Sequence, residues 1–273
     1  MIDHRDLSLE FPLFLPATRL DRLDKASASG ASSVIIDLED AVAPDDKPGA
    51  RTALTSKVLG AATVPHFVRV NAYGTPWYEE DIAAVLATNA QGIVLPKTES
   101  PALVEKLRKQ LPQEITLFGL IESAVGMGNV RSLAPLFERL FFGSLDYAAD
   151  LGCAHTNVGL AAAKSEIILA ARLAGRPGPC DGVTPNTRDP QVVKSEASHG
   201  VEIGFRGKLL IHPMQVAPAI AAYLPDATQR DWAQRVVEAS AAGGVVVVDG
   251  AMVDAPVVAH ALQILKMSGR QDV

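Results

Sequence analysis

The chain has 273 residues and a formal net charge of −6, and 48% of its residues are hydrophobic. Two cysteines provide no disulfide framework, and an acidic balance without a dense Lys/Arg run argues against nucleic acid as a partner. No apolar stretch approaches the ~20 residues that span a bilayer, and the first ten residues contain no signal segment. These features predict a cytoplasmic, non-membrane protein whose size fits a single α/β barrel of roughly 250 residues.

Eight short apolar runs follow one another along the chain, and most are separated by segments with helical patterning. Strands that alternate with helices predict parallel strands joined by crossovers. Eight such units fit an α/β fold of the (β/α)8 TIM barrel type, and an open doubly wound sheet is the alternative. The eight runs are FPLFLPA (11–17), SVIIDLED (33–40), HFVRVN (66–71), GIVLPK (92–97), ITLFGLIE (115–122), LFFGSLD (140–146), CDGVT (180–184) and KLLIHP (208–213).

The residues after the eighth run predict a C-terminal helical and hairpin extension. Residues 226–243 have the pattern of a helix, 244–256 that of a hairpin turning at Asp249-Gly250, and 257–267 that of a last helix. We therefore predict a barrel over residues 1–222 and an extension over 223–273. No linker rich in Ser or Pro separates them, so we expect the extension to pack on this barrel or on a neighbouring subunit.

Polar and charged residues stand at the ends of the predicted strands. The loops that follow the strands build the active-site face of a barrel, and an apolar strand gains nothing from a terminal charge that meets no water, partner or ligand. The sequence therefore predicts a polar site at this end of the barrel. The residues concerned are Arg19, Asp37, Glu39, Asp40, Arg69, Asn71, Lys97, Glu122, Asp146, Asp181 and His212.

Glu122 and Asp146 form the sharpest pair among these residues, because they lie about one βα unit apart and so on consecutive strands. Neighbouring strands are about 4.8 Å apart, and two carboxylates at that distance repel each other unless a cation or proton lies between them. Mg²⁺ is suited to this role because it needs only one or two protein carboxylates. Alternatively, the two acids cap helices or pair with Arg131 or Arg139.

Three further strand-end residues each allow two interpretations. Arg69 could grip a substrate carboxylate and stabilise an oxyanion, or it could pair with the acids of the DLED stretch. Lys97 could form a Schiff base with a ketone, or it could neutralise an acidic cluster. His212 could act as a base, or it could be a hydrogen-bonding scaffold before Pro213.

Read in order, the strand ends resemble the citrate lyase β-subunit-like family within the HpcH/HpaI aldolase superfamily. The resemblance runs from about residue 13 to residue 256, nearly the whole chain. Two of the stretches, DLEDAVAPDDK and GKLLIHPMQ, are fairly specific together. The matching stretches are LFLPATRLDRLDKA, VIIDLEDAVAPDDKPGAR, VRVN, VLPK, GLIESAVGMGN, FFGSLDYAADLG, GFRGKLLIHPMQ and VVVVDGAMVDAP.

The resemblance implies a TIM barrel with one Mg²⁺ that cleaves or forms a C–C bond in a β-hydroxyacyl thioester, usually of coenzyme A. Citramalyl-, malyl- and citryl-CoA are typical substrates, and a 2-oxoacid and an acyl-CoA are the products of this carbon–carbon (oxo-acid) lyase. It implies that Glu122 and Asp146 bind the metal, and that Glu122 and Arg69 contact the substrate. It also implies that Asp254 is a catalytic acid/base supplied to an adjacent subunit, in a homotrimer or hexamer.

Three rival functions stay open. The first is a metal-free Schiff-base aldolase acting through Lys97. The second is a non-catalytic acyl-CoA-binding subunit of a lyase complex, and the third is a malyl-CoA thioesterase or synthase that uses the same site. For any CoA ester, the available cations for the phosphates include Arg19, Lys25 and Lys208.

Overall fold

The computed structural model describes residues 10–57, 64–241 and 246–268. The chain divides into two compact units, Met1–Ile220 and Ala221–Val273. The predicted absence of an N-terminal signal segment falls on residues that lie, but for Glu10, outside the described part of the chain. Within the described part, no helix is both long and apolar enough to cross a membrane.

The first unit contains a six-stranded parallel sheet whose strand order follows the chain order. Each strand coincides with one of the first six predicted runs, and helices form the crossovers. All of the strand residues except Phe14, Pro16 and Thr116 are buried, as expected of a parallel sheet covered by helices. The α/β class is therefore confirmed. The strands are β1 Pro12–Pro16, β2 Ser33–Asp37, β3 His66–Arg69, β4 Gly92–Leu95, β5 Thr116–Ile121 and β6 Arg139–Phe142.

The seventh and eighth predicted strands are present only as isolated parallel bridges. Phe141 of β6 bridges to Cys180, Asp181 bridges to Lys208, and Leu210 bridges to Leu13 of β1. The prediction of eight full strands is therefore corrected to six, because these two segments pair with their neighbours only through isolated bridges and not through continuous ladders. The bridges nevertheless link β6 back to β1 through both segments.

The inner side of the sheet carries one apolar cluster to which every predicted strand run contributes. Its aromatic members stack closely, with ring centroids 4.5 Å apart for Phe67 and Phe118 and 5.1 Å apart for Phe118 and Phe141. This layer fills the space below the carboxyl ends of the strands and gives the site a rigid floor. The cluster consists of Phe14, Ile35, Phe67, Val94, Phe118, Leu120, Phe141, Cys180, Val183 and Leu209.

Helices follow the strands largely where the pattern predicts them. Helix α4 (Pro101–Gln110) begins with Pro101 at its first position, as expected of a Ser-Pro helix start. The helix predicted over 124–138 is broken into two short helices and a 3₁₀ turn at Ala134–Leu136. In chain order, the first ten α-helices of the described residues are α1 Leu23–Ser27, α2 Lys47–Ser56, α3 Tyr78–Leu86, α4 Pro101–Gln110, α5 Ala124–Gly128, α6 Val130–Leu133, α7 Ser144–Leu151, α8 Asn157–Leu173, α9 Pro190–Ile203 and α10 Val216–Tyr223.

The second unit contains α11 (Ala227–Ala241), an antiparallel hairpin and α12 (Ala255–Ser268). The hairpin strands β7 (Val246–Val248) and β8 (Ala251–Val253) turn at Asp249-Gly250, where both residues have positive φ, 50° and 82°. The turn prediction is confirmed, because a two-residue type I′ loop needs positive φ at both central positions. The predicted residues 244 and 245 of the hairpin lie outside the described part.

Candidate active site

A cavity of about 360 Å³ opens at the carboxyl ends of the strands in the first unit. Acidic residues and apolar side chains line it together, and of the described residues that line it Arg69 is the only basic one. Its floor is the apolar cluster, so charged groups in the cavity are shielded from much of the solvent. The lining residues are Phe14, Pro16, Asp37, Asp40, Ala41, Arg69, Leu120, Glu122, Phe142, Gly143, Ser144, Leu145, Asp146, Val183, Leu209 and Ile211.

Strand register brings these polar residues to one level. Asp37 is paired with Arg69 across β2 and β3. Ile121 is paired with Phe142 across β5 and β6, so Glu122 and Gly143 leave the sheet side by side. The sequence prediction that polar residues at the strand ends meet at one edge is therefore correct for β2 and β3, whereas the residue beside Glu122 at the end of β6 is Gly143.

The Arg69 guanidinium is held by three carboxylates of the DLED stretch. Nε and Nη2 donate to the two oxygens of Asp37 at 2.7 and 2.6 Å. Nη1 lies 3.0 Å from Glu39 Oε2 and 3.2 Å from Asp40 Oδ2. Both Arg69 and Asp37 are buried. Of the two interpretations of Arg69, the ion pair with the DLED acids is the one that the structure contains, and Arg69 is a fixed charge in the cavity wall.

Burial and neighbouring charge shift the ionisation of this cluster. Burial alone would lower the pKa of Arg69, but the Asp37 carboxylate raises it above its ordinary value, so the guanidinium stays charged. Burial raises the pKa of Glu39 to about 7, with Asp40 and Asp37 adding to the shift against the opposing effect of Arg69. Since acids outnumber Arg69 here, the cluster favours an added cation.

Glu122 is buried, and its two carboxylate oxygens have different environments. Oε1 accepts a hydrogen bond of 2.7 Å from the backbone amide of Lys97. Oε2 has no hydrogen-bond partner among the described residues. Burial, followed by the charge of Glu39, raises the pKa of Glu122 to about 8. A buried carboxylate oxygen without a partner at a cavity wall is a position suited to a cation.

Gly143 makes room for the Glu122 carboxylate. A Cβ at position 143 would lie 2.4 Å from Glu122 Cβ and 2.6 Å from Glu122 Oε2. We expect Gly143→Ala to displace Glu122, reduce turnover of the substrate by about tenfold or more and cost about 1–3 kcal/mol of stability. Gly128→Ala is the matched control, since a Cβ there has no neighbour within 4 Å. Equal activity of the two variants in a kinetic assay would contradict the role given to Gly143.

Asp146 lies in the first turn of α7 rather than at the end of a strand, because β6 ends at Phe142 and the helix begins at Ser144. It still lines the cavity with Glu122, and its charge contributes to the raised pKa of Glu122. Among the described residues no group of three or more His, Cys, Asp or Glu side chains is arranged to hold a metal. Two carboxylates fit Mg²⁺, which completes its octahedron with water and ligand oxygens.

The alternative partners of the two acids are engaged elsewhere. Arg131 forms an exposed ion pair with Glu166 at 2.6 Å. Arg139, at the opposite end of β6 from Gly143, donates to the backbone oxygen of Arg206. The interpretation in which Arg131 pairs with Glu122 or Asp146 is therefore not the arrangement in the structure.

Three other predicted strand-end residues are not among the described residues that line this cavity. Lys97 is not among the described lining residues, and its ammonium group lies 3.9 Å from Glu39 Oε1 with 56% of the side chain exposed. His212 Nδ1 accepts from the Met214 amide at 3.2 Å, so the scaffold interpretation of His212 fits the structure. Asp181 is buried and pairs with Lys164 at 3.0 Å in a small neighbouring cavity.

Asp254 belongs to the second unit and is exposed. Its carboxylate accepts from the Val257 amide at 3.1 Å and its carbonyl from the Val258 amide at 3.0 Å, so it caps the start of α12. Its role as an acid/base for an adjacent subunit stays a prediction.

The sequence pattern gave no sign of two features of the site. Ser144 Oγ lies 2.9 Å from Nε2 of His155, which ties the first turn of α7 to the segment before α8. A groove of about 730 Å³ shares Phe14, Pro16 and Ile211 with the cavity and is lined by three cations, Arg19, Arg22 and Lys25. The sequence analysis names Arg19 and Lys25 as cations available to the phosphates of a CoA ester, but it does not predict where in the fold they lie.

Comparison with known proteins identifies the family of this chain. A family model described as HpcH/HpaI aldolase/citrate lyase matches residues 10–213, which is well over half of the chain. The chain therefore belongs to the HpcH/HpaI aldolase/citrate lyase family, as its sequence motifs predict.

Similar proteins cover almost the whole chain. A citrate lyase subunit beta-like protein of Deinococcus radiodurans is 34% identical over 93% of this chain and 95% of its own length. A (3S)-malyl-CoA thioesterase of Cereibacter sphaeroides is also 34% identical, over 89% of this chain and 88% of its own. The CitE protein of Mycobacterium tuberculosis, in complex with magnesium, acetoacetate and coenzyme A, superposes with a TM-score of 0.85 at 33% identity, covering 97% of this chain and 99% of the other.

Proposed function

We propose that this protein is a Mg²⁺-dependent carbon–carbon lyase that cleaves a β-hydroxyacyl-CoA thioester into an acyl-CoA and a 2-oxoacid. The observation that carries the proposal is the buried, unpartnered Oε2 of Glu122 in a cavity that it shares with Asp146. The family, and relatives that hold magnesium, coenzyme A and oxoacids, support it. The ring of bridges between β6 and β1 supports a closed (β/α)8 barrel as its scaffold.

Glu122 and Asp146 would hold the Mg²⁺ ion. When bound there, the ion supplies Lewis-acid polarisation of the substrate oxygens and neutralises charge that develops on them. The chain's own acids favour the cation, because Asp37, Asp40, Glu122 and Asp146 line this cavity and Arg69 is the only basic residue among its described lining residues. An anionic substrate would be repelled from the same cavity without it.

In the proposed cleavage, a base takes the proton of the substrate hydroxyl and the C–C bond breaks. The bonding electron pair goes to the thioester fragment as an enolate, and the former hydroxyl carbon becomes the carbonyl carbon of the 2-oxoacid. Arg69, fixed and permanently charged, favours the oxyanions of this step. Helix α7 begins at Ser144 on the cavity wall, and the partial positive charge of its N-terminus favours binding of the substrate carboxylate. Asp254 then protonates the enolate carbon.

The supply of Asp254 by a neighbouring subunit is part of this proposal and implies a homotrimer or hexamer. Its exposure in the second unit is compatible with a role outside its own unit. Measuring the mass of the protein in solution and mixing Asp254→Asn with Glu122→Gln protein tests it. Recovery of activity in the mixture, where each variant alone is inactive, is the result expected for a shared site.

The groove with Arg19, Arg22 and Lys25 is the proposed site for the coenzyme A phosphates, since it adjoins the cavity and has three cations. Lys208, also suggested by the sequence, does not serve this purpose. It is buried and donates to the Gly182 carbonyl at 2.8 Å.

Charge in the cavity also favours substrates with a single free carboxylate. Arg69 is already committed to Asp37, Glu39 and Asp40, and no other described lining residue is basic. A second carboxylate, as in a citryl thioester, would therefore lack a counter-charge among the described lining residues. We propose that malyl- or citramalyl-CoA is preferred to citryl-CoA.

The test is to incubate the purified protein with malyl-, citramalyl- and citryl-CoA, with Mg²⁺ or with excess EDTA, and to identify the products by mass spectrometry. We expect ketoacid and acyl-CoA only with Mg²⁺, and a kcat/KM for citryl-CoA that is lower by about tenfold or more. Full activity in EDTA would contradict the metal mechanism. An equal kcat/KM for citryl-CoA would contradict the proposed preference for a single free carboxylate, but not the lyase reaction.

A second candidate function is hydrolysis of the thioester, and the similarity to the malyl-CoA thioesterase of Cereibacter sphaeroides favours it. The same assay separates the two reactions. Free CoA with intact hydroxyacid indicates the thioesterase, and acyl-CoA with ketoacid indicates the lyase.

A further inference from the structure

The backbone of Lys97 adopts a conformation that side chains rarely tolerate. Its φ is +45°, and the only other described residue of this kind besides glycine is Asp249, in the hairpin turn. Positive φ is uncommon for residues other than Gly, Asn and Asp, and strain of this kind persists where the surrounding structure imposes it. Lys97 stands at the end of β4, beside the candidate active site.

The surrounding structure does impose it. Pro96 precedes Lys97, and the Thr98 hydroxyl closes the turn by donating to the Leu95 carbonyl at 2.7 Å. The Thr98 amide donates to the Leu120 carbonyl of β5 at 3.3 Å. These two hydrogen bonds fix the turn to both β4 and β5.

In this conformation the Lys97 amide donates to Glu122 Oε1 at 2.7 Å. One oxygen of the buried carboxylate is thus bound by a rigid backbone group, and the other, Oε2, lies against Gly143 in the cavity wall without a partner. We infer that Lys97 is a positioning residue, whose left-handed backbone fixes Glu122 so that Oε2 is presented to a ligand. That the ligand is a divalent cation rests on the proposed function.

The inference concerns the backbone of Lys97, so substitutions must separate backbone from side chain. Lys97→Asn and Lys97→Val both remove the charge, but Asn tolerates positive φ whereas β-branched Val opposes it. We expect Mn²⁺, used as a probe for Mg²⁺, to bind Lys97→Val about tenfold more weakly than Lys97→Asn in calorimetry. Equal Mn²⁺ affinities in the two folded variants would overturn the inference.

Hydrogen exchange tests the same contact without any metal. The amide of Lys97 should exchange about tenfold faster in Glu122→Ala than in the wild-type protein, because its acceptor is lost. Asp146→Ala is the matched control, and it should leave this amide unchanged. An unchanged rate in Glu122→Ala would overturn the inference. Failure of the wild-type protein to bind Mn²⁺ would instead contradict the proposed function, while the exchange result would still decide the role of Lys97.

Discussion

Glu122→Gln is expected to abolish catalysis and, in metal-free buffer, to make the protein more stable. Glutamine keeps an oxygen for the Lys97 amide but carries no charge for a cation. Loss of a well-placed electrostatic group at a reacting centre costs on the order of a hundredfold to a thousandfold in kcat. The assay is turnover of citramalyl- or malyl-CoA at saturating Mg²⁺, with thermal unfolding measured in parallel.

The gain in stability follows from the ionisation of Glu122. The pKa of this carboxyl is raised to about 8 in the folded protein, mainly by burial, from an ordinary value near 4.5. The folded state therefore resists ionisation, and stability falls as pH rises from about 4.5 to about 8. At pH 7 this amounts to on the order of 2–3 kcal/mol, which glutamine would recover. Below pH 4.5 the wild-type and Glu122→Gln proteins should have similar stability.

Addition of Mg²⁺ provides the decisive comparison. A ligand that binds only the folded state raises the unfolding temperature, so Mg²⁺ should stabilise the wild-type protein and have little effect on Glu122→Gln. Glu166→Gln is the control, because Glu166 forms an exposed pair with Arg131 and is not among the described residues that line the cavity. The assignment of Glu122 would fail if Mg²⁺ stabilised both proteins equally, or if Glu122→Gln kept normal turnover.

The sequence predicts the first six strands well because each is an apolar run that ends at a polar residue. Register then explains why Asp37, Arg69 and Glu122 meet, since parallel strands place their carboxyl ends at one edge. The segments at Cys180 and Leu210 form only isolated bridges with neighbouring strands among the described residues, so they are not full strands. Helix α9 was not predicted, although Asp189 caps it by accepting from the Gln191 amide and Pro190 begins it.

The details that make the site specific depend on tertiary contacts that no local pattern contains. The pairing of Arg69 with Asp37 was one of two alternatives, and only the distances decide between them. The positive φ of Lys97 has no local signal, because glycine or asparagine is usual there. The need for glycine at position 143 arises from the Glu122 side chain, which belongs to a different strand.

Arg69→Met is expected to destabilise the protein by about 3–5 kcal/mol and to remove activity, because it leaves buried acids without their cation. Asp37 loses two hydrogen bonds, and Glu39 loses the ion pair that offsets its burial. Without the opposing charge of Arg69, burial should raise the pKa of Glu39 further, so the penalty should shrink as pH is lowered toward about 5. Urea unfolding at pH 5 and at pH 8 measures this difference.

Arg131→Met is the matched control for Arg69→Met, since it removes the same functional group from a bidentate pair with Glu166 that faces solvent. Exposed pairs contribute about 0–1 kcal/mol, so little change in stability or activity is expected. Adding Asp37→Asn to Arg69→Met should restore part of the lost stability by removing one uncompensated charge, but not the activity. Equal stability of Arg69→Met and Arg131→Met at pH 8 would contradict the stabilising role given to the buried pairing of Arg69 with Asp37 and Glu39.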